Sequence, residues 1–309
     1  MSEAEITRKS REFYEQFQFP GRRPIDHDGL IFMRRFTQSI QQRSAPIPGR
    51  MLRVLDAGCG TGNTSVSLAR QFPRVAFFGI DQSRTSLAKA KALAVRTGVK
   101  NVRFRMGNLL KPLPWQDLFD VILCLGVLHH TADMEKTLTN LGRSMGKDGE
   151  LFLWIYGKHG RYRHSLNTRL LRLLLGKQCS PEAALALATQ FALNADHGSA
   201  LRDLIGQTKT DERQRKAFTD PVWIADQFLN PQEILIDMEG LLNLARSSGL
   251  ELAQVLGMSG ITAQLLGSAP LMKRFEQLSP SDQLIARDLL LKPERYFVVL
   301  RKAANGAKA

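Results

Sequence analysis

An acid and three glycines crowd one turn: Asp56, Gly58, Gly60 and Gly62 in VLDAGCGTG, residues 54–62. Glycine there gives the backbone positive φ and lets a ligand approach where a Cβ would clash. A short apolar run precedes the turn and the apolar-periodic NTSVSLARQ (63–71) follows it, so the turn joins a strand to a helix. Open α/β sheets bind nucleotides at such a turn. A dinucleotide fingerprint needs its third glycine at position 63, which is Asn63, and is the weaker reading. Three further segments place polar groups at matching points: Asp81 at the end of FFGID, Asn108 after RFRMG, and His129 and His130 in LCLGVLHHT.

These residues need a scaffold that brings strand ends together. Strands are expected at 52–57, 75–80, 102–106, 120–125 and 150–155, with helices at about 63–71, 84–96 and 133–145. That alternation implies a parallel sheet covered on both faces, with every group above at a carboxyl end. After Tyr156 the rhythm stops: residues 157–236 read as helical, without a convincing strand. Residues 237–258 return to helix, Gly249 as a stop, and strand, and ERYFVVLRKA (294–303) makes a last strand. The sheet is therefore expected to be completed only after a helical insertion. Before the core, residues 1–40 carry Phe13, Tyr14, Phe17, Phe19, Ile31, Phe32 and Phe36 as helical anchors, broken at Pro20-Gly21 and Pro24, and QQRSAPIPGR (41–50) is a linker. The expected division is a helical arm at 1–50 covering the crevice, a core at 51–157 and 237–305, and a helical lid at 158–236.

Composition narrows the partners. The 309 residues are 43% hydrophobic and 23% charged, which suits a globular chain with a sizeable core. The polar start MSEAEITRKSREF is no secretory signal, and no run of about 18 apolar residues predicts a membrane span. Cys59, Cys124 and Cys179 are too few and scattered for a disulfide framework or a zinc site, so a reduced, cytoplasmic protein without a metal is expected. The formal net charge is +14, and eight Lys or Arg without an acid lie between Asp81 and Asp117. Residues 157–180 hold six more, again without an acid. These are either solvated helix faces or a field for an anionic partner. No aromatic-interleaved basic motif favours nucleic acid.

Taken in order, VLDAGCGTG, GIDQS, GNLLKPLP, DVILCLGVLHHT and LGRSMGKDGELFLWIYG resemble the class I S-adenosylmethionine-dependent methyltransferases. The resemblance is strong over about 50–157 and topological over 237–303. It implies a Rossmann-like, doubly wound, mostly parallel seven-stranded sheet with a helical insertion after the fifth strand and an N-terminal helical arm. It also implies S-adenosylmethionine as cofactor. Gly58, Cys59, Gly60 and Gly62 then pass beneath the methionine part, and Asp56 holds the loop or approaches the ammonium. Asp81 accepts the ribose hydroxyls, although a plain cap of the next helix is the alternative. Asn108 stands where the family usually has Asp, and its amide oxygen can still accept from the adenine amino group. Gln82, Leu109 and Leu125 supply walls.

For the transfer itself, His129 and His130 are the titratable groups expected beside the methyl, with His129 the candidate base and a packing role the alternative. The acceptor is expected to touch Tyr14, Tyr156, Arg161, Trp223 and Asp226. Tyr14 would face the sulfonium with its ring, or simply anchor its helix. TDPVWIADQFLNPQE (219–233) is read as a lid boundary or as a capped turn. The acceptor expected is a small molecule, anionic or held on an acidic carrier protein. RNA or protein as acceptor, and cofactor binding without catalysis, are the alternatives.

Overall fold

The computed structural model describes residues 1–19, 27–43, 50–176, 179–193 and 220–303. Seven strands form one sheet in the order β3-β2-β1-β4-β5-β7-β6. They are β1 (Leu52–Ala57), β2 (Val75–Asp81), β3 (Val102–Met106), β4 (Phe119–Leu125), β5 (Met145–Tyr156), β6 (Leu250–Leu256) and β7 (Arg295–Lys302). β1 to β5 pair in parallel, whereas β7 runs antiparallel to both β5 and β6. The sheet is thus doubly wound and closed by the strands that follow the insertion, as the sequence predicts. The largest boundary difference in the parallel strands is β5, which begins at Met145 rather than 150 because Phe119 pairs with Met145 before the register shifts at the Phe119/Val121 irregularity.

Strand residues alternate between two cores because successive side chains leave opposite faces. One face (Phe78, Ile80, Ile122, Leu151, Leu153, Val298) packs on α5 (Met134–Arg143) and α9 (Met238–Ser247). The other (Val54, Phe77, Leu123, Phe152, Phe297) packs on α2 (His27–Arg43) and α3 (Asn63–Gln71).

The arm is two helices with different duties. In α1 (Glu3–Gln16) only Ser10 is buried, and polar bonds hold the helix down. Glu15 accepts from the backbone N–H of Arg84 at 2.6 Å and of Thr85 at 3.1 Å, satisfying the first turn of α4 (Arg84–Arg96). Lys136 reaches Glu3 at 3.1 Å on the far side. By contrast, α2 buries Phe32, Phe36 and Ile40 at fourfold spacing against the sheet. It belongs to the core, which corrects the expectation that all of residues 1–50 merely cover it.

α2 is also tied down through Glu150, whose side chain is 2% exposed and lies 2.9 Å from Arg35 and 2.5 Å from Arg301, with Ser39 donating as well. Burial alone would raise the Glu150 carboxyl, but hydrogen bonds from Arg301 and Ser39 and the charges of Arg35 and Arg43 outweigh it and hold it below its usual value. A depressed acid stabilises the fold above the unfolded carboxylate range, and that share is lost as pH falls through it. Glu150→Gln is expected to lower urea-unfolding stability by about 2 kcal/mol, less than for a fully buried pair because Arg301 is half exposed. An unchanged urea midpoint would remove α2 from the core account.

The insertion forms its own small cluster. Leu171 of α6 (Tyr162–Leu175), Ala188 and Ala192 of α7 (Pro181–Leu193), and Trp223, Ile224 and Phe228 of the segment 221–229 bury one another. That segment starts as α8 (Pro221–Ile224) and continues as a π-helical turn to Leu229. Three short helices, α10 (Ala263–Leu266), α11 (Ala269–Glu276) and α12 (Pro280–Leu291), lead into β7. The expected breaks at Pro20-Gly21 and Pro24 lie outside the described residues, as does most of the 41–50 linker. Among the described residues, no helix is long and apolar enough to cross a membrane and no cluster suits a metal ion.

Candidate active site

The glycine turn is built by its backbone. Gly58, Gly60 and Gly62 have φ of 78°, 50° and 75°, a region costly for residues with a Cβ. The N–H groups of Gly58 and Cys59 both donate to the Ile80 carbonyl, at 2.8 and 3.0 Å, so β2 holds the loop. A Cβ on Gly58 would stand 2.4 Å from a Val127 methyl, closing the gap between this loop and the end of β4. Gly62 serves packing instead: its Cβ would stand 2.6 Å from that of Ala90, and it does not line the crevice. That corrects its expected place against the cofactor.

Above the loop opens a cavity of about 1180 Å³. Asp56, Gly58, Cys59, Gly60, Asp81, Gln82, Asn108, Leu109 and Leu125 all line it. Asp81 accepts from Gly60 N and Ser83 N, both at 2.9 Å, one on each oxygen, so each oxygen keeps a lone pair. The helix cap that competed for Asp81 is taken by Ser83, which accepts from Ser86 N. Burial raises the Asp81 carboxyl, against the pull of the Ser83, Gly60 and Gln82 N–H groups. Burial likewise raises Asp56, to about 6, with Ser65 donating to it and the charge of Asp81 adding to the shift. Asn108 accepts from Leu110 N at 2.9 Å, which holds its turn and leaves the oxygen a second lone pair. The pocket therefore offers two carboxylates with spare lone pairs and a Cβ-free floor, and these fit a ribose and an ammonium group.

The two histidines part company on the 3-10 turn Leu128–His130. His129 is fully buried, off the cavity, between Tyr156 and His130 at ring distances of 4.2 Å each. Burial, with His130 and Arg161 nearby, pushes its pKa well below normal, and neither ring nitrogen has a hydrogen-bond partner. His129 is a neutral packing group, and its candidacy as base is withdrawn. His130 lines the cavity, its Nδ1 lying 2.6 Å from the Gln232 carbonyl. A carbonyl only accepts, so Nδ1 carries the proton and Nε2 keeps its lone pair. Tyr14 also lines the cavity, its ring 6.3 Å from that of His130. The Tyr14 hydroxyl donates to Asp226 at 3.1 Å and accepts from Asn230 at 2.8 Å. Burial and the Asp226 charge push its pKa well up, so it stays protonated.

Tyr156, Arg161, Trp223 and Asp226 do not line the cavity, contrary to expectation. They form the layer behind it. Asp226 accepts from Gln227, and Gln227 donates to the Tyr156 hydroxyl, both at 2.9 Å. Arg161 lies 3.6 Å over the Tyr156 ring and pairs with Glu233 at 3.1 Å. Trp223 is core of the insertion. No described residue of 158–236 lines the cavity, and the described part of the insertion acts as a support that grips the arm through Tyr14, while residues 177–178 and 194–219 of the expected lid lie outside the described residues. The arm does reach in, with Ser10, Tyr14 and Phe19, and Thr61 N donates to the Phe19 carbonyl. Sequence reasoning missed Ser10, Asn230, Val127 and the whole stretch between α2 and α3. Only the Asn63, Ser67, Gln71 polar spacing hinted at the last of these, and it reads equally well as a solvated face.

A methyltransferase-domain family model matches residues 49–162. An uncharacterized protein of Synechococcus is 31% identical over 242 residues, covering 76% of this chain and 56% of that relative. The malonyl-[acyl-carrier protein] O-methyltransferase of Bacillus anthracis is 30% identical over 107 residues, covering 35% of this chain and 38% of that enzyme. The chain thus spans about half, or less, of the length of these curated relatives. Among solved structures, PKMT2 from Rickettsia typhi superposes with a TM-score of 0.65 at 15% identity, over 92% of this chain and 54% of that one, which shows a shared fold. With the motifs in order on that fold and the glycine turn and Asp81 set at its crevice, residues 49–162 form a methyltransferase domain of the class I S-adenosylmethionine-dependent type.

Proposed function

We propose that the chain transfers a methyl group from S-adenosylmethionine to an oxygen, carbon or nitrogen of a small-molecule acceptor, in one form held on a carrier protein. The observation that carries this reading is one continuous cavity. At about 1180 Å³ it exceeds the ~300–1,000 Å³ usual for one ligand and joins the cofactor residues to His130 and Tyr14.

S-adenosylmethionine supplies an electrophilic methyl on a sulfonium. Asp81 accepts from the ribose hydroxyls, and Asp56 receives the ammonium. His130 Nε2 takes the proton that the acceptor atom loses, while the Gln232 carbonyl fixes its tautomer. Tyr14 turns its ring to the positive charge and, with α1, excludes water.

Asp56 gives this scheme a pH signature. An ammonium pairs only with the carboxylate, so cofactor affinity is expected to fall as pH drops through about 6. The unliganded fold has the opposite slope: an acid raised above its unfolded value makes the fold lose stability as pH rises through that window. Asp56→Asn should flatten both curves. An affinity profile in the wild type that is flat around this pH would place the ammonium elsewhere.

The test of function is incubation with methyl-labelled cofactor and a fractionated cell extract. Label in the low-mass fraction is expected. Label confined to protein or RNA would favour the second reading, which the exposed basic residues of α4 and β3 support. Cofactor binding without any labelled product would end the catalytic reading.

A further inference from the structure

The cavity does not stop at the cofactor residues. It continues between α2 and α3, which stand apart on the same face of the sheet, α3 over β2 and β3, α2 over β6 and β7. Lining residues run from Gly29 to Thr37 on α2 and from Asn63 to Gln71 on α3. At 1.5 Å per residue each wall is about 12 Å long. Ser39 binds Glu150, in the half of β5 away from the crevice, so α2 descends away from the crevice, and the channel leads outward from the transfer point.

The two walls differ. On α2, Leu30, Phe32 and Met33 line the channel with Thr37 at its end, and Trp154 and Phe297 join them from the strands. On α3 the lining residues are Asn63, Thr64, Ser67 and Gln71, each able to donate or accept a hydrogen bond, with Leu68 as the apolar member among them. Among the described residues no acid lines this stretch, since Asp56 and Asp81 belong to the cofactor end, and Arg34 stands exposed on its α2 wall.

Resting on the methyl-transfer reading above, we infer that this channel takes a pantetheine-type arm, which presents the acceptor acyl group to His130 from a carrier outside. Such an arm alternates amides with methylenes, matching one mainly hydrogen-bonding wall and one mainly apolar wall. Its phosphate is an anion for Arg34. A plain fatty chain would leave the α3 wall unpaired, at a cost that favours an amide-bearing ligand.

The experiment is calorimetric titration of S-octanoyl phosphopantetheine, and separately of sodium octanoate, into protein saturated with S-adenosylhomocysteine. The phosphopantetheine is expected to bind and octanoate to bind far more weakly. Ser67 is exposed to the groove, so Ser67→Phe should fold, keep its S-adenosylhomocysteine affinity and lose about tenfold or more for the phosphopantetheine. Arg34→Ala should weaken the phosphorylated arm but not its dephosphorylated form. If the wild type takes S-adenosylhomocysteine but not the arm, or octanoate equally well, the channel assignment is overturned while methyl transfer stands. Wild-type affinity retained in Ser67→Phe overturns it too. Failure to bind S-adenosylhomocysteine at all would overturn both.

Discussion

Replacing His130 with alanine is expected to slow single-turnover methyl transfer about 10³-fold, within the range for losing a general base, with S-adenosylhomocysteine affinity nearly unchanged. Its Nε2 is the imidazole nitrogen that faces the cavity with a free lone pair, because Nδ1 is committed to the Gln232 carbonyl. His129→Ala makes the control: it removes a fully buried ring packed on Tyr156, so it should cost stability far more than transfer rate. If the acceptor atom needs no base, alignment alone drives transfer and His130→Ala will remain fast. That result would remove His130 from catalysis and leave the cofactor site intact.

Deleting residues 1–19 is expected to leave a folded protein that binds cofactor yet transfers methyl groups about 10³-fold more slowly. The deleted helix buries only Ser10, and polar contacts at Glu3, Glu15 and Tyr14 hold it in place, so the core does not need it. The cavity does need it. Ser10 and Tyr14 stand beside His130 and Phe19 lines the cavity by Thr61, and without them water reaches the methyl and the acceptor loses its alignment. The cut must stop short of α2, since Phe32, Phe36 and Ile40 are core and a deletion of residues 1–40 would unfold the chain. Asp226→Ala offers a milder version, leaving Tyr14 in place but without its hydroxyl partner. Full transfer activity after removal of 1–19 would show α1 to be a bystander.

The sequence made the cofactor half of the site legible because backbone geometry demands particular residues there. Positive φ at Gly58 and Gly60, and an acid at the end of β2, leave few substitutes. The acceptor half was harder to read for a physical reason. Neighbouring residues on a short turn point in different directions, and nothing in LHH says that His130 rather than His129 faces the cavity. Helical periodicity in 158–236 predicts that those helices bury a face but not against what, and they bury it on one another. Phe32 and Phe36 stand among the arm's helical anchors in the sequence, and their fourfold spacing, continued by Ile40, is that of a core face on α2. The polar stripe of Asn63, Ser67 and Gln71 looks like any solvated face until α2 is seen standing across from it.

Calorimetry with S-adenosylhomocysteine, on the wild type and on Asp81→Ala, tests the central claim most directly. Asp81 is held by Gly60 and Ser83 N–H groups with a lone pair left on each oxygen, so two ribose hydroxyls can donate to it at once. Losing both charged hydrogen bonds should weaken binding by about 3 kcal/mol, or ~10²-fold. An analogue without ribose hydroxyls should then bind both proteins alike, near the affinity of the variant for the intact ligand. A wild type that fails to bind S-adenosylhomocysteine, or that binds it no better than the analogue, would contradict the assignment of this cavity to the cofactor.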